Sequence, residues 1–320
     1  MPNNLPEFSK PAARQVPYNP ISLHYLKTFG EKVHKIPVSV AKTCPNREGL
    51  NGMKTCNFCD VWGSAAYEDL VNKSLHEQIK VGRERVQRRV NRSNFLVYFQ
   101  AYTTTFARVA ELRVHIAAAL AEPDIKGFVV GTRPDCLSDA LLDLLNEYSE
   151  KCYVAVELGV QSFKEDQLIW MRRGHTAERS IWGIRRLHEK TKVNLGVHLI
   201  FGLPGETEVD IIEAARLCNE LPLDNVKLHN LHVLKNTPLA DDFNRGEYLP
   251  ISLEDYASRV TVFLQHLRPD IYIHRLAAVA SRGDEIVAPK WAGLRMQTHQ
   301  YILDYINARG ARQGDRYVVN

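Results

Sequence analysis

The 320-residue sequence has no apolar run approaching the roughly 18 residues that a membrane-spanning helix needs, which excludes a helical span. Its opening segment, MPNNLPEFSKPAARQVPYNP, is polar and proline-rich. It lacks the apolar core of a secretory signal, so the cytoplasm is the expected compartment. Cysteine is scarce, with six in all. Without an export signal these read as reduced thiols with metal or catalytic uses, not as disulfides. Internal repeats and low-complexity segments are absent, which excludes a repeat array. A dominant charge sign is absent too: 41 Lys and Arg against 37 Asp and Glu leave a net charge of +4. That balance alone does not announce a nucleic-acid binder. At 45% hydrophobic, the chain can build one barrel-sized domain with extensions.

Apolar, β-branched runs recur at regular intervals. They predict strands at 35–40, 95–100, 126–132, 152–159, 193–202 and 225–233. Helical patterns fall between and after them, at 74–92, 109–121, 138–148, 176–190, 207–220, 253–267 and 291–309. Ser138, Thr207 and Ser252 stand where N-caps belong, and Gly310 stands where a C-terminal cap belongs. Strand–helix alternation at this spacing implies parallel pairing through right-handed crossovers. The fold class is α/β. Six units suit a partial (βα)6 barrel, and a doubly wound sheet is the alternative. The expected organisation is an N-terminal extension over 1–33, a barrel over 34–245 and a helical extension over 246–320.

Several strands carry polar residues that an apolar run does not explain. Glu157 interrupts the fourth, His198 the fifth, and Lys227 and His229 the sixth. A carboxylate inside such a strand is costly unless it is paired. Period-two alternation puts Glu157, Gly159 and Gln161 on one face, and Lys227 with His229 on one face. Any one of these fits a satisfied structural group. Several on successive strands point to one cavity at the C-terminal ends of the strands. Gly202 and Gly205, in GLPGE after the fifth strand, permit close backbone approach to a ligand at a helix N-terminus.

Cys44, Cys56 and Cys59 follow the first strand in CPNREGLNGMKTCNFC, a C-x11-C-x2-C spacing. Three thiolates can hold three irons of a four-iron cluster and leave the fourth open. The alternatives are a zinc site with a ligand elsewhere, or plain thiols. Cys136, Cys152 and Cys218 have no paired spacing and read as structural thiols.

This stretch resembles the cluster loop of radical S-adenosylmethionine (SAM) enzymes, in the subgroup with a long first gap. The blocks YFQAYTTTF, GTRPDCL, ELGVQS, RRGHT, HLIFGLPGE, VKLHNLHVLKNTPL and IHRL follow in order. ELGVQS, RGHT and GLPG also resemble the radical SAM domain of the Elongator catalytic subunit. The bacterial YhcC/YtqA group is the nearest likeness. Thr104 and Phe106 depart from that group's usual asparagine and tyrosine, and VSVAKT before Cys44 lacks its usual aspartate and glycine.

The resemblance implies a 4Fe–4S cluster on Cys44, Cys56 and Cys59, SAM on its open iron, and a 5′-deoxyadenosyl radical that abstracts hydrogen. It places Gln100, Tyr102, Glu157, Gln161, Gly202 and Gly205 at SAM. It assigns Arg172 or Arg173, with His175, to the SAM carboxylate or to closure of the site. Glu157, Lys227 and His229 become the catalytic candidates, with His232 also near the substrate. The implied partners are tRNA, an electron donor such as flavodoxin or ferredoxin, and a methyltransferase.

The substrate is the open question. The segment 80–92, KVGRERVQRRVNR, holds six basic residues and one acidic. On a continuous helix, Arg85, Arg88, Arg89 and Arg92 form a stripe beside the apolar stripe of Leu75, Ile79, Val86 and Val90. Such a stripe suits a phosphate backbone or is an ordinary solvated face. The Elongator-like branch acts on tRNA wobble uridines, which makes that base the leading expectation. The alternatives are a small metabolite or protein side chain as substrate, or a non-catalytic iron–sulfur or zinc protein that binds RNA.

Overall fold

A computed structural model describes residues 16–63, 68–90, 94–279 and 283–318. Seven strands form one parallel sheet: β1 (Val33–Ser39), β2 (Asn94–Gln100), β3 (Ile125–Thr132), β4 (Tyr153–Gln161), β5 (Asn194–Phe201), β6 (Asn225–Asn230) and β8 (Tyr272–Ile273). They lie side by side in that order. The order never reverses, so there is no switch point of the kind a doubly wound sheet has. The sheet curls into a half-barrel. β7 (Val233–Leu234) pairs antiparallel with β9 (Ile286–Ala288) in a separate ribbon.

The helices are α1 (Ile21–Phe29), α2 (Leu75–Gln87), α3 (Val109–Leu120), α4 (Asp139–Ser149), α5 (Glu165–Trp170), α6 (Ala177–Lys190), α7 (Glu208–Glu220), α8 (Pro238–Asn244), α9 (Leu253–His266) and α10 (Arg295–Ala308). Among the described residues no helix is long and apolar enough to cross a membrane.

Alternation along the strands sorts the side chains. Ile36, Val38, Val97, Phe99, Val130, Val156, Leu158, Val197, Leu199, Val226 and Ile273 face outward, into one core with α2, α3, α4, α6, α7, α9 and α10. The opposite residues face a lumen. Its floor is apolar: Leu96, Tyr98, Val129 and Ala155 pack with Tyr25 of α1. Tyr25 and Phe29 stack edge-on against Tyr153, at 6.2 and 5.2 Å between ring centroids. α1 therefore plugs the end of the barrel where the strands begin.

The structure departs from the sequence expectations in three places. The helix expected over 74–92 stops at Gln87, so Arg88 caps it and Arg89 lies beyond it. Arg92 lies outside the described residues. The long strand expected at 225–233 breaks after Asn230, and Val233 turns away to pair with Ala288. The segment 246–320 supplies α9 and β8 to the core and sheet, not helices alone.

Candidate active site

Glu157, in the middle of β4, is 2% exposed and is the hub of the lumen. Its Oε2 accepts from His198 Nε2 at 2.6 Å and from Lys227 Nζ at 2.8 Å. Its Oε1 accepts from Lys35 Nζ, with His274 Nε2 at 3.7 Å. Lys35, His198 and Lys227 come from β1, β5 and β6, and His274 directly follows β8. Both ammonium groups also sit over the Tyr98 ring, Lys227 at 4.8 Å and Lys35 at 5.3 Å.

Burial alone pushes the Glu157 carboxyl up, but the charges of Lys227, Lys35 and His274 outweigh it and hold it well below the usual range. Lys227 is pushed down to about 8, by burial first and then by Arg275 and Lys35, against the pull of Glu157. His198 is pushed down to about 4 by burial and Lys227, so it is a neutral imidazole at neutral pH. His229 stacks beside it, 5.1 Å between centroids. Burial and Arg275 hold His229 well below the ordinary value.

The three cysteines lie above this hub, in the loop after β1. Cys56 and Cys59 share a turn closed by Cys59 N–H donating to the Cys56 carbonyl at 3.1 Å. Arg173 Nη1 lies 3.4 Å from Cys56 Sγ, and Arg47 Nη2 lies 3.6 Å from Cys59 Sγ. Burial and the neighbouring thiols push the Cys59 thiol up to about 12. Guanidinium donors at sulfur are what cluster thiolates need. Among the described residues no three His, Cys, Asp or Glu side chains converge on a point where one metal ion would sit. The zinc alternative therefore finds no preformed ligand set.

Arg173 also donates to the Gly159 carbonyl at 2.8 Å. Gly159 is two residues beyond Glu157 on β4, one inward layer toward the mouth. A Cβ at Gly159 would sit 2.8 Å from Gln161 Nε2 and 3.4 Å from Arg173 Nη2. Glycine there lets the Gln161 and Arg173 side chains pack directly on β4, between the thiols and the hub. The donor set fits a thiolate-held cluster.

The loop is fixed by contacts that no sequence periodicity announces. Asn46 Nδ2 donates to the carbonyls of Lys54 and Arg172, each at 2.7 Å. Arg133 donates to Asn46 Oδ1 and pairs with Asp135 through two 2.8 Å bonds. Asn57 ties the loop to α5, its N–H reaching the Met171 carbonyl and its side chain the Trp170 carbonyl. On the other side the Tyr102 hydroxyl donates to the Val61 carbonyl at 2.7 Å. A Cβ at Gly63 would lie 2.4 Å from the Tyr102 ring, so only glycine fits beneath it. Ala101 and Tyr102 hold positive φ of 70° and 54°, strain concentrated beside the loop.

The structure brings Glu157, His198 and Lys227 into direct contact and sets His229 beside them. Gln100 and Gln161 stand at the mouth, half-buried. The Tyr102 hydroxyl braces the cysteine loop. Arg173, not Arg172, reaches the thiols; Arg172 is exposed, with φ 56°. Burial, Arg173 and Arg133 push His175 down to about 3. Gly202 N–H donates to Glu206 Oε2 at 2.7 Å and its carbonyl accepts from Tyr248. Its backbone is engaged within its own turn, while Gly205 lies in open space. His232 bonds the Asn230 carbonyl, apart from the hub. Lys35, Tyr98, His274, Arg275 and Arg47 were not expected. Lys35 reads as the edge of a strand, and IHRL carries no periodic signal.

Arg88 and Arg89 follow α2 and precede β2, so they lie where the strands begin, away from the cysteine loop. Arg85 is ion-paired with Asp69 at 3.2 Å. The arginine stripe thus does not border the mouth. Exposed cations that do are Lys42, Lys54, Arg108 and Arg172, all in loops after strands. Lys54 and Arg172 line a cavity of about 380 Å³ with Gly52, Met53 and Gly174.

Comparison with known proteins agrees with this geometry. Protein YhcC of Escherichia coli is 36% identical over 287 residues, 89% of this chain and 91% of YhcC. YtqA of Bacillus subtilis is 31% identical over 93% of this chain and 92% of its own. A tRNA uridine(34) acetyltransferase of Methanocaldococcus jannaschii is 27% identical over 143 residues, 44% of this chain and 26% of that protein. The structure of archaeal Methanocaldococcus infernus Elp3 superposes with a TM-score of 0.65 at 17% identity, over 88% of this chain and 64% of that one. Residues 223–307 match the Radical_SAM C-terminal domain, and residues 38–218 match the Radical SAM superfamily, whose cofactors are a 4Fe–4S cluster and SAM. The chain belongs to the radical SAM superfamily.

Proposed function

We propose that this enzyme modifies a tRNA wobble uridine by hydrogen abstraction at the mouth of its half-barrel. The observation that carries the reading is the stacking of three layers: a guanidinium-flanked loop of three thiols, Gly159 packed beneath Gln161 and Arg173, and a buried charged hub. When bound, the cluster and SAM supply a 5′-deoxyadenosyl radical that takes hydrogen from an unactivated carbon. Cys44, Cys56 and Cys59 hold the cluster. Arg173 and Arg47 donate to sulfur, and Gln100 and Gln161 line the SAM space. Glu157 is a positioning residue, because its oxygens are fully engaged in orienting Lys227, Lys35 and His198. Lys227, pushed down to about 8, can hold or release a proton near neutral pH.

The partial likeness to a tRNA uridine(34) acetyltransferase supports the tRNA reading. In this proposal the RNA backbone meets the mouth cations Lys42, Lys54, Arg108 and Arg172. An external donor of the flavodoxin or ferredoxin type and a methyltransferase acting afterwards complete the partners. The barrel unit of 34–245 is flanked by 1–33 and completed by 246–320, which adds β8 to the sheet and α9 to the core.

A small metabolite is the second reading. The depth of the hub favours it, since Lys35 and Lys227 side chains are only 18% and 12% exposed. Nucleoside mass spectrometry of tRNA from a deletion strain separates the two. The proposal expects an altered wobble-uridine profile. An unaltered profile, from an enzyme that still cleaves SAM, contradicts it.

A further inference from the structure

The lumen carries more positive charge than its own acids balance. Lys35, Lys227 and Arg275 face it, and Glu157 is the acid among them. Glu157 reaches Arg275 only through space, because one oxygen serves His198 and Lys227 and the other Lys35 and His274. Arg275 instead places Nη2 2.8 Å from both ring nitrogens of His229, a neutral partner. Its Nε is buried and has no hydrogen-bond partner. Among the described residues no carboxylate forms an ion pair with it. A buried guanidinium without a direct ion pair is costly, and its planar fork matches an oxyanion bidentately.

The position of this group adds to the argument. Arg275 lies two residues past β8, the last strand of the half-barrel, and its carbonyl accepts from Leu228 N–H at 3.2 Å. It therefore borders the lumen at its open edge, and His229 connects it through His198 to Glu157.

We propose that Arg275, with Lys227 and His229, binds an anionic group of the substrate, a carboxylate or a phosphate, inside the lumen. The inference rests on the reading that the lumen receives the substrate. The same field disfavours a positively charged substituent, so the reacting end of the substrate enters as an acid or carries one.

The test is calorimetric titration of the cluster-loaded, SAM-saturated protein with sodium acetate and, separately, with inorganic phosphate in chloride-free buffer. The proposal expects one of the two to bind. Arg275→Gln weakens it about thirtyfold or more, and Arg275→Lys retains part of it. Acetate alone binding identifies a substrate carboxylate, and phosphate alone a nucleotide phosphate. Retained near-ultraviolet circular dichroism shows that each variant is folded, and the lysine variant keeps the comparison if the glutamine one is not. Binding of neither anion overturns the proposal, as does binding that Arg275→Gln leaves unchanged or that saturating SAM abolishes. No RNA enters the experiment, so its failure is distinguishable from failure of the tRNA reading.

Discussion

Glu157 holds two ammonium groups and two imidazoles from neighbouring strands while almost wholly removed from water. Removing its charge leaves Lys35 and Lys227 buried without a counter-ion. Glu157→Gln is expected to cost about 3–5 kcal/mol of stability at pH 7, measured by urea denaturation. The pH dependence follows from the same contacts. A carboxyl held below its ordinary value binds fewer protons when folded than when unfolded. Its contribution is complete above the ordinary value of 4.5 and is lost as pH falls through the lower folded value. The urea midpoint of the native protein should therefore drop below pH 4.5 more steeply than that of Glu157→Gln. Equal slopes would show that Glu157 is not ionised in the fold. This residue was legible in the sequence because a charge inside an apolar strand has few explanations. Arg133, Asp135 and Asn46 were not, because they meet across loops whose spacing follows no period.

At the scale of elements, caps did most to make the helices readable. Ser138, Thr207 and Ser252 accept from the backbone N–H three residues on, as their positions in the sequence suggest. Gly310 closes α10 with φ 61°. Ser74 and Glu77 form a full capping box on α2, so Ser74→Ala should cost about 1 kcal/mol in denaturant. An unchanged midpoint would mean that the first turn of α2 is held by packing alone. The elements that escaped are short or uncapped: α5 has six residues, β8 two, and α1 follows Pro20 with no side-chain cap. α2 stops at Gln87, short of the expected 92, although its apolar stripe of Leu75, Ile79 and Val86 docks on the core. Arg88 and Arg89 therefore lie at and past its end, and Arg92 lies outside the described residues.

The whole molecule is a half-barrel with an aromatic plug where its strands begin and a thiol loop where they end. This polarity assigns the two ends different work. Mouth cations, not the α2 arginines, should meet a nucleic-acid substrate. Lys54→Glu with Arg172→Glu is expected to weaken tRNA binding roughly tenfold or more, whereas Arg88→Glu with Arg89→Glu leaves it nearly unchanged. Filter binding at fixed salt reads both, and the reverse pattern would place the RNA at the opposite end.

The most direct test of the central claim is SAM cleavage by the protein after anaerobic reconstitution with iron and sulfide. The native protein should turn brown and convert SAM to methionine and 5′-deoxyadenosine when reduced, and Cys56→Ser should do neither. A native protein that stays colourless and leaves SAM intact would contradict the account.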